Sequence, residues 1–231
     1  WVPCSKYTIC NDDTDDNLIR NKGEALYRKS KDDYYTLTNW VESMDIECKN
    51  HLQIGALGAV AFIGMAIGSI LGAILSTKYG RRVVYIGGLT ITTLTLFVLA
   101  FEPQYSTGLI SLFLYGIGVF PRMTIGYLYA LELIPEGVTR TLGMFMFVGE
   151  LFTMIISSLY LVLGGRDANI FVWTSLLFSV IPLILSTILP ESPKFLHANR
   201  ENEKVKKSLK RIAKINNQSD LDFSDIHIQE A

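Results

Sequence analysis

The sequence predicts an all-α fold, a bundle of helices that crosses a membrane several times. Hydrophobic residues make up 49% of the chain, yet residues 1–50 and 191–231 are polar and charged, whereas residues 52–190 are mostly apolar. A soluble domain of this length would not separate its apolar and charged residues in this way. The mean hydropathy of +0.30 averages over this division. Short polar links then divide the apolar region into stretches that are long enough to cross a bilayer.

Five stretches meet the length that a bilayer core requires, about 20 apolar residues in a helix. They cover residues 51–76, 83–101, 107–131, 141–164 and 168–189. Buried helices of a soluble protein are the alternative, which five long apolar stretches in a row disfavour. Because the links are short, consecutive helices must be antiparallel neighbours. Residues 51–190 are therefore predicted to form a transmembrane bundle of five spans.

Basic residues in the polar segments predict which way the bundle faces. Lys78, Arg81 and Arg82 lie in the first link, and the segment after the last span carries many lysines and arginines. Because an even number of spans separates these two regions, they lie on the same side of the membrane. Cytoplasmic segments carry an excess of Lys and Arg. Residues 191–231 are therefore predicted to be cytoplasmic, and residues 1–50 to form an extracellular or lumenal polar loop.

The cytoplasmic segment is predicted to begin with an amphipathic helix over residues 201–215. Val205, Leu209 and Ile212 recur at helical spacing, with lysines between them. Such a helix could dock on protein or lie on an anionic lipid surface. Residues 216–231 are predicted to form a loose polar tail.

Three cysteines, Cys4, Cys10 and Cys48, lie in the outer loop, and none lies in a span. Their clustering predicts an oxidising compartment in which one disulfide could form and one thiol would remain; three free thiols are the alternative. Their spacing matches no zinc site. With no other metal-binding or phosphate-binding pattern, we expect no metal, no cofactor and no enzymatic activity. The net charge of −1 and the lack of a base-reading motif predict no nucleic-acid partner.

Glycines and prolines mark special positions within the spans. Gly64, Gly68 and Gly72 recur every fourth residue in the first span. This spacing places them on one helix face, where the backbone of a second helix can approach closely. Pro121 and Pro182 lie inside the third and fifth spans and are expected to kink them.

Two charged residues interrupt the spans, Arg122 in the third and Glu150 in the fourth. A charge at this depth costs about 2.5–3.5 kcal/mol on insertion scales, which makes it a candidate for function. Both lie about 13 Å from the same boundary, so on adjacent antiparallel helices they could form a structural ion pair. Alternatively, one or both face a central cavity, where Glu150 would attract a cation or carry a proton and Arg122 would attract an anion. A third interpretation places both near the headgroups.

Aromatic residues of the spans could line such a cavity and bind an organic cation through the faces of their rings. Packing between helices is the alternative role. The candidates are Tyr115, Tyr127, Tyr129, Phe145, Phe147 and Trp173.

Four short motifs occur in a fixed order along the chain. In sequence order they are Thr38-Asn39-Trp40 with Cys48, Gly68-Ser69 through Gly80-Arg81-Arg82, Glu132 with Arg140-Thr141-Leu142-Gly143, and Pro190 to Leu196. Each motif alone is weak, but their order and spacing together are fairly specific. Together they resemble the organic cation/anion transporter branch of the major facilitator superfamily. The resemblance covers nearly the whole chain, through about Asn217.

The resemblance implies a partial major facilitator fold, in which the five spans correspond to helices two to six of a twelve-helix transporter. In such folds the substrate binds near the membrane midplane between two halves, which rock around it. The resemblance implies a cytoplasmic gating motif, formed by Thr77, Gly80, Arg81, Arg82, Glu132 and Arg140. It also implies a motif that closes helix six, formed by Pro190, Glu191, Ser192, Pro193 and Lys194.

The chain departs from the pattern of this branch at three positions. Thr77 replaces an aspartate that normally helps to hold the cytoplasmic gate, and Ala73 replaces a glycine. Leu112 takes the place of an arginine near the start of helix four. Threonine can hydrogen-bond but brings no charge, so the gate contact is expected to be weaker.

Two functions follow from the resemblance and its departures. The first is a facilitator-type secondary transporter that moves a small organic solute by alternating access, with an organic cation as one candidate. The alternative is a transporter-derived, non-transporting structural subunit of a larger membrane complex, which would have other membrane subunits as partners. The lipid bilayer surrounds the protein in both. A transporter would lie in the plasma membrane, and an organelle membrane fits the subunit.

Overall fold

A computed structural model gives the structure of the protein for residues 44, 46, 50–101, 104–165 and 167–216. Cys4, Cys10 and Cys48, with the disulfide predicted among them, lie outside the described residues. The tail predicted from residue 216 onward lies outside them too, apart from its first residue.

The described residues fold into eight α-helices and one π-helical turn. In chain order they are α1 (His51–Tyr79), α2 (Arg81–Ala100), α3 (Tyr105–Phe120), the π-turn (Pro121–Ile125), α4 (Gly126–Leu133), α5 (Glu136–Val162), α6 (Asn169–Ser186), α7 (Pro193–Ala198) and α8 (Asn202–Ile215). The elements α3, π-turn and α4 together form one continuous span, Tyr105–Leu133.

Five of these segments are long and apolar enough to cross a membrane, which confirms the predicted all-α bundle of five spans. They are His51–Tyr79, Arg81–Ala100, Tyr105–Leu133, Gly137–Val162 and Asn169–Ser186. Several helices continue into the links beyond the apolar stretch. Hydropathy marks only the apolar part of a helix, whereas the helix itself ends where backbone geometry changes, as at Gly80.

Helices α1 and α3 pack with their backbones in close approach, as the glycine spacing predicts. Gly64, Gly68 and Gly72 are the buried positions of α1, together with one serine. A Cβ atom on Gly64 would overlap the carbonyl oxygen of Phe113, and one on Gly116 of α3 would overlap the carbonyl oxygen of Ala61. Small residues permit this spacing in a bilayer, where van der Waals packing drives helix association.

Helix α2 is the centre of the bundle and contacts α1, α3, the π-turn, α4 and α6. The buried hydroxyl groups of Thr92 and Thr95 have hydrogen-bond partners, because each donates to a carbonyl oxygen of its own helix. Thr93 shares a 2.7 Å hydrogen bond with Ser179 of α6. Such interhelical bonds between hydroxyl groups add about 0.6 kcal/mol on average to packing in membranes.

Aromatic contacts mark the end of the bundle opposite Gly80. Phe97, Phe101 and Trp173 form a chain of edge-to-face pairs with ring centroids 5.0 Å and 5.8 Å apart. Beside them, Met44 and Ile46 pack into a buried cluster with the last turns of α2. Aromatic rings of this kind concentrate at the membrane–water interface.

The two prolines within spans have different consequences. Pro121 opens the π-turn, in which the backbone carries one extra residue per turn, and its ring lies against Gly72 and Gly88. Pro182 lies inside α6, which continues to Ser186. The structure therefore places a change of helical geometry at Pro121.

Helix α5 is the least packed of the spans. None of the residues in its most apolar window is buried, whereas 44% of the corresponding window of α2 is buried. A Cβ atom on Gly143 would lie 3.3 Å from the hydroxyl oxygen of Tyr127, so the two helices meet there. Its side chains are consequently open to lipid or to other protein segments.

Candidate functional site

The site forms where the link between α1 and α2 meets the residues that follow α6. Gly80 is buried and has φ +100°, a backbone conformation open to glycine almost alone. A Cβ atom here would lie 2.6 Å from Oε2 of Glu191 and 3.1 Å from the ring of Phe195. Gly80 thus both turns the chain and lets α7 approach the start of α2.

Glu191 caps the start of α2 with its carboxylate. Its Oε1 accepts hydrogen bonds from the backbone N–H of Arg82 at 3.1 Å and of Ser192 at 3.0 Å. A negative charge at a helix N-terminus is stabilised by the helix dipole and by N–H groups that have no partner within the helix. The carboxylate therefore joins the segment after α6 to the beginning of α2.

Arg81 connects three further elements. Its Nε donates to Oε1 of Glu132 in α4 at 3.1 Å, and its Nη1 donates to the carbonyl oxygen of Ser76 at 3.4 Å. Its guanidinium also stands 5.1 Å from the ring centroid of Phe195 in α7. The two side chains of the ion pair are 21% and 12% exposed. Because the pair is partly buried, solvent screens it less than it screens a surface salt bridge. The loss of either partner is therefore expected to destabilise the protein.

Arg82 binds the C-terminal end of α6. Its Nη2 donates to the carbonyl oxygen of Thr187 at 2.9 Å, and its Nε lies 3.5 Å from that of Ser186. The last carbonyl groups of a helix have no partner within it, and a cation there is favourable. Arg82 therefore joins the start of α2 to the end of α6.

The residues that follow α6 form a tight connection to α7. The hydroxyl of Tyr129 in α4 donates to the carbonyl oxygen of Pro190. The Ser192 hydroxyl accepts from the backbone N–H of Phe195 as the N-cap of α7, and Pro193 occupies its first turn, where the missing N–H costs nothing. The hydroxyl of Ser208 in α8 donates to the carbonyl oxygen of Glu191 at 2.7 Å.

The structure therefore brings together most, but not all, of the residues singled out by the two motifs. Those in contact at the site are Gly80, Arg81, Arg82, Glu132, Pro190, Glu191, Ser192 and Pro193. We refer to this set, with Tyr129 and Phe195, as the interlock. Thr77, Arg140 and Lys194 are exposed and lie outside it.

Thr77 does not reach another helix. Its hydroxyl donates to the carbonyl oxygen of Ile74 at 2.8 Å and lies 3.5 Å from that of Ala73, both in its own helix. In the part of the chain that the structure describes, Arg140 and Lys194 form no ion pair. The interlock is thus built without Thr77, one of the positions at which the chain departs from the pattern of the family.

The two charges within the spans are not joined. Arg122 lies in the π-turn and is partly exposed, and Glu150 is exposed on α5. The ion pairs found among the described residues do not include one between them. The described residues therefore show no direct pair between Arg122 and Glu150.

Two of the aromatic candidates, Tyr129 and Trp173, lie at opposite ends of the bundle. Tyr129 is buried and bonded to Pro190 in the interlock. Trp173 packs against Phe101 at the opposite end of the bundle.

No group of three or more His, Cys, Asp or Glu side chains that could hold a metal was found among the described residues.

Sequence reasoning missed three members of this region. The sequence predicts cavity lining or helix packing for Tyr129, not a hydrogen bond to Pro190, and it predicts no contact for Phe195 or Ser208. Tyr129 lies four residues before Leu133, the last residue of the span. That depth was the available signal, since a buried hydroxyl needs a partner.

Comparison with known proteins relates the chain to membrane transporters. The sequence profile described as Major Facilitator Superfamily matches residues 42–221. The SVOPL protein of Danio rerio, whose name designates it a transporter, is 29% identical over 185 residues, which cover 77% of this chain and 36% of that protein. Solute carrier family 22 member 2 of Mus musculus is 27% identical over 184 residues, covering 78% and 32%. Solute carrier family 22 member 3 of Rattus norvegicus is 26% identical over 228 residues, covering 92% and 40%. The chain spans about a third of the length of these curated relatives.

Proposed function

Because the chain belongs to the major facilitator superfamily, we propose that it works in a secondary transporter that moves a small organic solute by alternating access. The profile match and the five spans make the chain part of an integral membrane protein of a transporter family. The chain covers only part of its relatives, so the transport cycle is proposed for the whole protein, with the plasma membrane as its location.

The observation that carries the proposal is the interlock at the end of the bundle. Arg81 links α1, α4 and α7, and Glu191 links α7 to the start of α2, largely through polar contacts. Alternating access needs the halves of a transporter to separate and close again at one membrane face. All of these contacts join residues of this chain, so they can stay formed while the two halves separate. The interlock would hold this half as one rigid unit during that movement.

We also infer that the solute is an organic cation. An organic cation would be attracted by Glu150, which is exposed on α5 with no ion pair among the described residues. A charge exposed within a span is costly in lipid, which favours a position that faces a water-filled path. Glu150→Gln would then weaken the uptake of cations and leave the fold intact.

One observation favours the alternative, a non-transporting structural subunit. The gate position occupied by Thr77 carries no charge, and its hydroxyl is used within its own helix. A protein that never opens its gate has no need of a charged contact there. Stable association with other membrane subunits would then replace solute movement as the role of the chain.

Uptake by the purified native full-length protein, reconstituted in vesicles, separates the two functions. A panel of labelled small organic cations and anions is offered to the wild type, to Arg81→Gln and to Lys194→Gln. We expect the wild type and Lys194→Gln to accumulate the same solute, since Lys194 is exposed outside the interlock. Arg81→Gln is expected to be slower by about tenfold or more, in line with the loss of a partly buried ion pair. No uptake of any solute, together with co-purifying membrane subunits, would support the structural role instead.

A further inference from the structure

Helix α8 is held at the edge of the bundle, level with the ends of the spans. Ser208, in the middle of the helix, is buried, and its hydroxyl donates to the carbonyl oxygen of Glu191 at 2.7 Å. Glu191 follows closely on the end of α6 at Ser186, and its carboxylate binds the first turn of α2. These bonds fix α8 close to the end of α6 and the start of α2, two of the apolar spans.

The two faces of α8 differ sharply in character. Val205, Ser208 and Ala213 are buried on the face that turns toward α7 and Glu191. At 100° per residue, the opposite face carries Lys207, Lys210, Arg211 and Lys214, all of which are exposed. We refer to these four residues as the basic face.

The basic face carries an excess of positive charge. Helix α8 has six basic residues and one acidic residue, Glu203. The nearby Glu201 is already paired, since Lys204 donates to its Oε1 at 2.8 Å. Among the described residues, no member of the basic face takes part in an ion pair. Four positive charges therefore stand together on the exposed side of α8, where Glu203, one turn before Lys207, is the single acidic residue of the helix.

We propose that the basic face of α8 binds the anionic headgroups of lipids in the adjacent leaflet. Clusters of this size next to a span are attracted to the negative surface of the cytoplasmic leaflet. The apolar residues of the helix are used against the bundle, so the contact is electrostatic and does not require the helix to insert. An anionic lipid is favoured over an acidic soluble protein, because the helix is tethered beside the headgroups at all times.

Lipid retention by the purified native full-length protein tests the proposal without any transport measurement. The protein in detergent is titrated with phosphatidylserine or phosphatidylcholine, and bound lipid is counted by native mass spectrometry. Each basic residue near the surface contributes about a fivefold gain in affinity, so Lys207→Gln, Lys210→Gln and Lys214→Gln combined should lower phosphatidylserine binding roughly 100-fold. The corresponding three Lys→Arg changes should preserve it.

Two controls make the outcome specific. Lys204→Gln removes the same charge from the same helix, but from a lysine that is already paired, so it should cost less than the about fivefold loss of Lys207→Gln. Binding by the wild type should also fall when salt rises to about 1 M, where screening acts over about 3 Å.

The proposal is overturned if the triple Gln variant retains phosphatidylserine like the wild type. It is also overturned if the wild type binds phosphatidylcholine equally well, or if an acidic protein occupies the basic face in native membranes while lipid binding is unchanged. Should the triple variant fail to fold, the salt titration of the wild type and the single variants still decide between these outcomes.

Discussion

The close packing of α1 on α3 can be tested with two alanine substitutions in the same helix. A Cβ atom on Gly64 would overlap backbone atoms of α3, whereas one on Gly58 would have no atom within 4 Å. Both positions lie inside α1, so the gain in helix propensity from Gly to Ala, about 1 kcal/mol, is common to the two variants. The difference between the variants therefore isolates the cost of separating the helices.

That cost is set by backbone atoms that cannot rotate away. Overpacking at a tight contact costs about 1–3 kcal/mol, and the atoms nearest to a Cβ on Gly64 are all backbone atoms of residues 113, 116 and 117. We expect Gly64→Ala to unfold at a lower temperature than Gly58→Ala by roughly 2–12 °C, at about 2–4 °C per kcal/mol for a chain of this size.

Thermal unfolding of both variants in the same detergent, followed by intrinsic fluorescence, measures this difference. Gly116→Ala approaches the same contact from the α3 side and should behave like Gly64→Ala. Equal unfolding temperatures for Gly58→Ala and Gly64→Ala would refute the close approach of the two backbones.

Three further predictions concern the interlock and its surroundings. Gly80→Ala should destabilise the protein by about 1–3 kcal/mol through its backbone conformation alone, and the contact of the new Cβ atom with Glu191 should add to this cost. Gly87→Ala is the control, because a Cβ atom on Gly87 would have open space around it. Equal unfolding temperatures of the two variants would contradict the prediction. Arg81→Gln and Glu132→Gln in a double-mutant cycle should show a coupling of about 0.5–3 kcal/mol, and strict additivity would exclude the direct ion pair. Arg200→Gly should raise stability by about 1 kcal/mol, because Arg200 has φ +60° just after α7, and an unchanged unfolding temperature would show that this backbone carries no strain.

The five spans could be predicted from the sequence, because a helix that crosses a membrane makes its backbone hydrogen bonds internally and presents apolar side chains along its length. The glycine face of α1 was predictable for a related reason, since it depends only on spacing within one helix. The family and branch indicated by the four motifs are confirmed by the profile match and by the relatives in solute carrier family 22. Local periodicity and motif order carried these predictions.

Contacts between distant segments were not predictable in the same way. The expected pair of Arg122 and Glu150 rested on equal depth in the membrane, but depth does not fix the direction in which a side chain leaves its helix. The π-turn at Pro121 changes that direction within the third span, and α5 packs loosely beside it. Tyr129 illustrates the reverse, since its partner, the Pro190 carbonyl group, is separated from it by the whole of α5 and α6.

The attachment of α7 and α8 has a practical consequence for following the protein in motion. Both short helices are tied to the spans through Glu191, Ser208 and Tyr129, and Arg81 stacks on Phe195. A fluorophore or spin label placed on the exposed side of α8 would therefore move together with the spans. Distances from such a label to a second one elsewhere in the native protein would report any change in the orientation of the bundle, and need no label within the membrane.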